Sequence, residues 1–420
     1  MTEDLLSVDE ARRRLVALAP PPRVVAVPLR EARGLVLAQV VAARGPLPAF
    51  DNSAMDGFAV RARDVLGASP EAPARLRLTG EVAAGSVYAG TVEPGEAVRI
   101  MTGAPVPAGA DAVIEVERSH LAAGWVMLDR GADPGNNIRP AGGDIEAGEE
   151  ALAAGTHLGP AQLALLAALG EAEPRCLARP RVAVLATGDE LVEPGAVPGP
   201  GQVVNIVGTA IAAAVEDAGA VAVVIPPARD TAEDIRRALQ AAMAAADVVV
   251  SVGGVSMGEY DLVRPAVQEL GRLDFWRVAM RPGKPLAVGR LGDCPFVGLP
   301  GNPVSALVGV EVYLLPLLLS MSGRPAWARP RVTAELGAPL STPPGLRTFA
   351  RARLERREGA VPVATPVPGQ GSHQLRWLAA ANCLLDIPED AGGIPEDAGE
   401  LAPGAAVTAI LVDQPPGPAG

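Results

Sequence analysis

Apolar residues change their period along this chain, and each change marks a different kind of element. Over 4–19, Leu5, Leu6, Val8, Ala11, Leu15 and Leu18 recur at mixed three- and four-residue spacings, which predicts a helix. Gly159 to Leu169 predicts a second helix, ahead of a Pro174–Pro180 linker. Between them, from about Pro46 to Asp144, short alternating runs such as Arg75–Leu78 and Ala97–Met101 are punctuated by Gly and Pro. That texture predicts a small β domain, and its place between two helices suggests insertion into a helical domain.

From Arg181 the pattern turns to strand–helix alternation. Val182–Ala186 is a continuous apolar run of buried-strand type, followed by a helix over Ile206–Ala218 and a strand over Val221–Ile225. Thr231 and Asp234 form a capping pair for a helix Ala232–Ala245, and Asp247–Val252 is the third strand. Helices of this length between strands imply parallel βαβ units with right-handed crossovers. Further strands are expected at Phe275–Met280, Leu286–Val288 and Phe296–Val297. Val304–Met321 is apolar enough to raise the question of a membrane span. It carries Glu311 and Pro316, however, and opens on Gly301-Asn302-Pro303, a cap followed by a first-turn proline, so a buried core helix is expected. After Pro330 short strands return (Arg331–Glu335, Thr348–Leu354, Cys383–Ile387, Ala406–Val412) and predict a second small β domain. IPEDAG occurs there twice, at Ile387–Gly392 and Ile394–Gly399, and reads as a lengthened surface loop. The expected division is therefore a helical domain (1–45 with 145–179), an inserted β domain (46–144), an α/β domain (180–328) and a C-terminal β domain (329–420).

Composition narrows the chemistry. Nearly half of the 420 residues are apolar, enough for large cores. A formal net charge of −12 without any basic block argues against a nucleic-acid partner. Cys176, Cys294 and Cys383 are odd in number and far apart, so they offer neither a disulfide framework nor a CxxC metal pair. The N-terminus is acidic and then amphipathic, unlike a secretory signal, and a cytoplasmic protein without membrane attachment is expected. Among 36 basic residues only Lys284 is lysine. Lysine is a compact point charge where arginine is a planar fork, so this position stands out.

Chemistry-bearing residues cluster at the predicted strand ends, where α/β sheets bind ligands. The first strand runs into Thr187-Gly188-Asp189-Glu190, and the third into Gly253-Gly254-Val255-Ser256-Met257-Gly258-Glu259-Tyr260-Asp261. Gly253, Gly254 and Ser256 can wrap a phosphate with backbone N–H groups and a hydroxyl. Glu190, Asp230 and Asp261 follow three successive strands, so they should meet on one rim and are candidate Mg2+ ligands. Arg277, Arg281 and Lys284 lie within eight residues, with Pro282 and Gly283 forcing a turn, an arrangement suited to clamping an oxyanion. Gly254-Val-Ser256-Met-Gly258 also matches a nucleophile elbow, with His373 downstream, but no HGGG-type oxyanion loop accompanies it. No GxGxxG opens a helix after a strand, which disfavours a dinucleotide enzyme. Polar loops at Asp51–Ala59 (with Asp56), Arg99–Pro105 (with Thr102), Asn136–Asp144 (with Arg139 and Asp144) and Gly369–His373 (with Ser372) are each plausible turns when taken singly.

Together, FDNSAMDGFA, RIMTGAPVP, NNIRPAGGD, ATGDEL, GGVSMGEYD, RPGKP, GLPGNPVS and GQGSH, in this order from end to end, resemble the molybdopterin molybdenumtransferase family of the MoeA type, which includes the gephyrin E domain. The resemblance implies a helical linker and dimerisation domain, an inserted β domain, a MogA-like α/β domain and a C-terminal β-barrel-like domain. It implies a homodimer whose active site lies between subunits, and possible transient contact with a MogA-type adenylyltransferase. The implied reaction takes adenylylated molybdopterin and molybdate, with Mg2+, and releases AMP. On that basis the loop with Gly253, Gly254 and Ser256, together with Lys284, would hold the phosphates, and Thr187 would contact the substrate. Asp56, Thr102, Asp144, Glu190, Asp230 and Asp261 resemble the family's polar residues around metal and pterin. Arg139, Arg277 and Arg281 match basic binding positions, and Ser372 with Arg347 or Arg351 would favour the molybdate oxyanion. Val252, Arg281 and Phe58 depart from the Ser or Thr, Lys and Tyr common at those positions, and no required carboxylate is lost. A MogA-like adenylyltransferase and a gephyrin-like scaffold are the competing readings.

Overall fold

The structure, a computed structural model, describes residues 5–254, 262–356, 358–389 and 399–418. Most of the tandem IPEDAG loop lies outside those residues. Two compact units emerge, residues 1–25, 34–36 and 176–420 in the larger, and residues 26–33 and 37–175 in the smaller.

Helix α1 (Val8–Val16) starts at Ser7, whose side chain accepts the Glu10 N–H. It is shorter than the apolar pattern over 4–19 suggests, because Pro20–Pro22 follow closely and cannot extend a helix. Val8, Ala11 and Leu15 are fully buried in the larger unit.

The smaller unit is built on one sheet, formed by β1 (Gly57–Val60), β2 (Ala74–Val82), β3 (Glu96–Ile100), β4 (Ala112–Glu115), β5 (Ser119–Ala122) and β6 (Trp125–Leu128). Their spatial order is β4-β1-β3-β2-β6-β5. Phe58, Val60, Leu76, Ile114, Val126 and Leu128 fill one face. At Gly57 the β4 backbone comes so close that a Cβ would overlap the Ile114 carbonyl, so only glycine fits. Helix α2 (Pro160–Ala168) carries proline in its first turn.

In the larger unit the α/β pattern gives β7 (Arg181–Thr187), α3 (Ile206–Asp217), β8 (Val221–Ala228), α4 (Ala232–Ala245), β9 (Val248–Val252), α5 (Val263–Leu270), β10 (Gly271–Arg277), β11 (Met280–Arg281), β12 (Pro285–Leu291) and β13 (Cys294–Leu299). The sheet order is β8-β7-β9-β13-β12-β10. The first four strands are parallel, while β12 and β10 run antiparallel as a hairpin at the edge. Strand periodicity splits the core: Val182 and Val184 face α1, α3 and the helix after Asn302, while Ala183 and Leu185 face α4 and α5.

The strand expected over Phe275–Met280 is divided. β10 stops at Arg277, and β11 leaves the sheet to pair in parallel with the C-terminal domain. Pro282 offers no N–H to a ladder and Gly283 adopts φ +95°, which turns the chain back into β12. Helix α6 (Pro303–Met321) is long and apolar enough to cross a membrane, but its apolar window is 78% buried inside the protein, as a core helix should be. Its middle, Val310–Leu314, has π geometry, and Glu311 there makes a bidentate pair with Arg329 at 2.9 and 2.8 Å.

The C-terminal strands β14 (Arg331–Leu336), β15 (Arg347–Glu355), β16 (Val363–Pro366), β17 (Cys383–Ile387) and β18 (Ala406–Leu411) pair in the order β15-β16-β14-β18-β17 and close through β15–β17 into a five-stranded barrel. Ala334, Ala350, Ala352, Leu385 and Ala409 fill it. The short helix α7 (Leu375–Ala380) follows the GQGSH loop.

Candidate functional site

Three places collect the residues singled out by sequence, two in the larger unit and one in the smaller. The first is the carboxyl end of the parallel strands, where a cleft of ≈ 220 Å3 is lined by Thr187, Glu190, Leu191, Asn205, Val252 and Gly253, among others. The order β8-β7-β9 sets the loops bearing Asp230, Glu190 and the double glycine side by side. Gly253 and Gly254 take φ +87° and +61°, which a Cβ would strain. The Gly253 N–H is tied to the Leu299 carbonyl at 3.1 Å, and Thr187 is nearly buried beside both glycines. At Gly188 a Cβ would collide with the Glu190 carboxylate, so glycine lets that carboxylate fold back over the main chain. Asp230 lies outside the wall of this cleft, and its N–H donates to Asp189 Oδ1 at 3.2 Å. Ser256 and Asp261 lie outside the described residues. Among the described residues no three His, Cys, Asp or Glu side chains gather as a metal site. What the rim does present is carboxylate oxygen, with neither thiolate nor imidazole, the donor type a hard divalent cation takes through one or two carboxylates and its own waters. Sequence reasoning missed Asn205, which caps α3 by accepting the Gly208 N–H at 3.1 Å while lining the cleft. An Asn before an apolar helical run was the available signal.

The second place is a larger cleft of ≈ 770 Å3 between the lysine turn and the barrel. Arg281, Lys284, Ser372 and Gln370 are among its polar lining residues, with Ser305, Ser341 and Thr348, and Met280, Leu346 and Phe349 are among its apolar ones. Lys284 is exposed and has no ion-pair partner among the described residues. Arg277 ends β10 opposite Pro285 and stands outside this wall. Ser372 is held by its main chain, its carbonyl accepting the Val304 N–H at the start of α6 at 3.2 Å.

The expected oxyanion roles of Arg347 and Arg351 give way here. Arg347 Nε and Nη2 donate to Asp386 Oδ1 and Oδ2 at 2.6 and 2.8 Å, and Nη1 donates to Asp9 Oδ2 at 2.9 Å. Its three nitrogens are thus committed to carboxylates, and hydrogen bonding to Asp386 raises its pKa further above the usual guanidinium value. Arg351 is 1% exposed and donates to the carbonyls of Gln374 and Gly371 at 3.2 and 3.1 Å. Gln370 bonds both the N–H and the carbonyl of Arg351, at 3.1 and 2.8 Å. Arg351 therefore shapes the Gly369–Gln374 loop from behind. Gln370 and Gln374, which fix this loop, carried no signal in the sequence beyond its glycines.

In the smaller unit the three polar loops come together through main-chain bonds. Ser53 exchanges hydrogen bonds with the Thr102–Ala104 turn, its N–H to the Ala104 carbonyl at 3.0 Å and its carbonyl from Gly103 at 2.8 Å. The Ala54 N–H donates to the Asn137 carbonyl at 2.8 Å, Arg139 pairs with Asn52, and the Asp144 N–H donates to the Leu47 carbonyl at 3.0 Å. Asp56 Oδ1 accepts the Thr102 N–H and hydroxyl at 2.7 and 2.6 Å. Those bonds, the hydroxyl's first, hold the Asp56 carboxyl below its ordinary pKa. Asp56, Thr102, Arg139 and Asp144 are all exposed. One knot of loops thus presents two carboxylates, a hydroxyl and a guanidinium to solvent.

Comparison with known proteins covers nearly the whole chain. Residues 6–170 match the MoeA N-terminal region (domain I and II), residues 183–320 a probable molybdopterin binding domain, and residues 333–412 the MoeA C-terminal region (domain IV). The chain is 44% identical over 390 residues to molybdopterin molybdenumtransferase 2 of Mycobacterium tuberculosis, covering 91% of this chain and 96% of that protein. It is 34% identical to the molybdopterin molybdenumtransferase of Haemophilus influenzae, covering 93% and 96%. The crystal structure of the molybdopterin biosynthesis moea protein from Pyrococcus horikosii superposes with a TM-score of 0.82 at 32% identity, covering 97% of this chain and 99% of that one.

Proposed function

The chain belongs to the MoeA family of molybdopterin molybdenumtransferases, a transferase family of molybdenum cofactor biosynthesis, and we propose that it inserts molybdate into adenylylated molybdopterin with Mg2+ and releases AMP. The observation that carries this reading is the cleft at the lysine turn. It is large, and its mixed lining includes Arg281, Lys284 and Ser372. A tetrahedral oxyanion needs cations and a hydroxyl donor gathered in one place, and Arg281, Lys284 and Ser372 supply them here.

Residue roles follow from position. Lys284, read from the sequence as a phosphate contact, lines the same cleft as Arg281 and Ser372 and is reassigned with Arg281 to the molybdate oxygens, to which Ser372 donates a directional hydrogen bond. At the sheet end, the Gly254 main chain, with positive φ and no side chain, would leave room for a phosphate beside the Thr187 hydroxyl, the Gly253 N–H being held by the Leu299 carbonyl. Glu190 and Asp230, whose loops follow the adjacent strands β7 and β8, would hold Mg2+, with Asp261 as the third expected ligand. When bound, Mg2+ offsets the charge that builds on the phosphate as AMP departs. The homodimer, the cytoplasmic setting and transient contact with a MogA-type adenylyltransferase belong to the same proposal.

The test is AMP release from adenylylated molybdopterin, followed chromatographically with molybdate and Mg2+ varied independently. Release should require both, and chelation should stop it reversibly. Glu190→Gln should lower Mg2+-dependent turnover by about a hundredfold while the fold is kept, the scale at which a lost electrostatic contact in the transition state is felt. Release that ignores molybdate, or an undiminished Glu190→Gln variant, would overturn the assignment.

A further inference from the structure

The turn that carries Arg281 and Lys284 is anchored by an arginine that never lines the cleft. Arg347 begins β15, and its N–H donates to the Ala279 carbonyl at 3.0 Å, one residue before β11. Met280 and Arg281 then pair with Arg347 and Thr348. On the other side of the same stretch, the Ala279 N–H donates to the Leu6 carbonyl at 2.8 Å. The segment entering the lysine turn is thus laid between the N-terminal segment and the barrel.

The Arg347 side chain fixes the two flanks against each other. Its fork grips Asp386 on β17, which is 5% exposed and also receives Arg331 Nη1 at 3.0 Å. Its remaining nitrogen reaches Asp9 on α1. The guanidinium lies 5.6 Å from the ring centroid of Phe349, a fully buried side chain that forms part of the cleft wall. Beneath the turn, a Cβ at Gly283 would rest on the Met280 side chain, and the buried Tyr313 hydroxyl donates to Met280 Sδ at 3.3 Å. Lysine could replace the charge of Arg347 but not its geometry, since one ammonium cannot present a planar fork to Asp386 and a third nitrogen to Asp9.

We infer that Arg347 is a positioning residue for the anion-binding turn: by joining Asp386 and Asp9 across the β11–β15 ladder, it sets where Arg281 and Lys284 stand against the cleft wall. The inference rests on the proposal that this cleft takes molybdate. A cation displaced by about 1 Å from a bound group can cost up to about a hundredfold, so the register of this turn belongs to the chemistry.

Steady-state AMP release by the full-length enzyme tests it, with molybdate and adenylylated molybdopterin varied separately and the melting temperature recorded. Arg347→Lys should raise the molybdate KM about tenfold, leave the KM for adenylylated molybdopterin and kcat within about twofold, and melt near the parent protein. Asp9→Asn cuts only the α1 arm and leaves the buried pair intact, so it should raise the molybdate KM about threefold, with Asp9→Glu restoring it. If Arg347→Lys folds poorly, the Asp9 pair decides. An unchanged molybdate KM in Asp9→Asn, or a fall in melting temperature with both KM values rising together, overturns the inference. Lys284→Ala is the separate arm: should it leave the molybdate KM unaltered, the cleft assignment itself fails.

Discussion

Asp56 and Thr102 stand far apart in sequence, yet one carboxylate oxygen accepts both the N–H and the hydroxyl of Thr102. These bonds, hydroxyl before amide, lower the Asp56 pKa, and its slight desolvation is too weak to reverse them. A depressed carboxyl pKa means that the ionised form is favoured in the fold. That benefit is present above the unfolded pKa and is lost as pH falls through the folded one. Thr102→Val removes the hydroxyl and keeps the amide, so the Asp56 pKa should rise toward the ordinary carboxylate value. The acidic limb of any activity that needs ionised Asp56 should move to higher pH with it. Carbon-detected NMR titration of the Asp56 carboxyl reads this directly, and an unmoved midpoint would assign the shift elsewhere. At this scale the sequence was readable where a residue is unusual in itself. Lys284 stood out as the single lysine among 36 basic residues, and the structure places it exposed on a cleft. Arg347 and Arg351 looked like oxyanion ligands because their partners were invisible. Asp9 lies 338 positions from Arg347, and the acceptors of Arg351 are main-chain carbonyls that any residue could supply.

Elements were legible in proportion to how local their determinants are. Helix α4 runs over Ala232–Ala245 as expected, since the Thr231 side chain accepts the Asp234 N–H at its start. The stretch Phe275–Met280 does not form one strand, because β10 stops at Arg277 and Met280 is claimed by a barrel strand from much later in the chain. Helix α6 shows the same limit. Its apolar run was plain, but its π-helical middle was not, and that segment carries Glu311. The Glu311 and Arg329 side chains are only 16% and 10% exposed and meet in a two-bonded fork. Glu311→Gln keeps the shape and removes the charge, leaving Arg329 largely desolvated with a weaker partner. A loss of about 2 kcal/mol in unfolding free energy is expected, somewhat below the cost of breaking a fully buried pair. Urea unfolding monitored by circular dichroism should show the midpoint falling without a change in slope, while an unchanged midpoint would mean that water compensates Arg329 fully.

Across the whole chain, the alternation of textures separated β-rich from α/β stretches correctly, but a string of elements does not say which loops will meet. The carboxylate-bearing loops at Glu190 and Asp230 became neighbours through the strand order β8-β7-β9, and the three polar loops of the smaller unit through main-chain bonds between distant turns. Charge is a property of the whole molecule that composition does state, and it sets a problem for this function. A protein with net charge −12 must admit an anionic substrate. Two fields of opposite sign act on the incoming anion. In the proposed assignment Lys284 and Arg281 attract it from within the cleft, while carboxylates distributed over the surface repel it from farther away. Salt separates the two by range, since the screening length falls from about 30 Å at 0.01 M to about 8 Å at 0.15 M. Adding chloride over that interval should therefore remove more of the distant repulsion than of the nearby attraction. The molybdate KM should fall by about twofold as salt rises. Lys284→Ala should start from a higher KM and still show the fall, because the distant carboxylates are unaltered. A KM that climbs steadily with chloride would instead show that the local cations set the field at every distance, with the net charge contributing nothing.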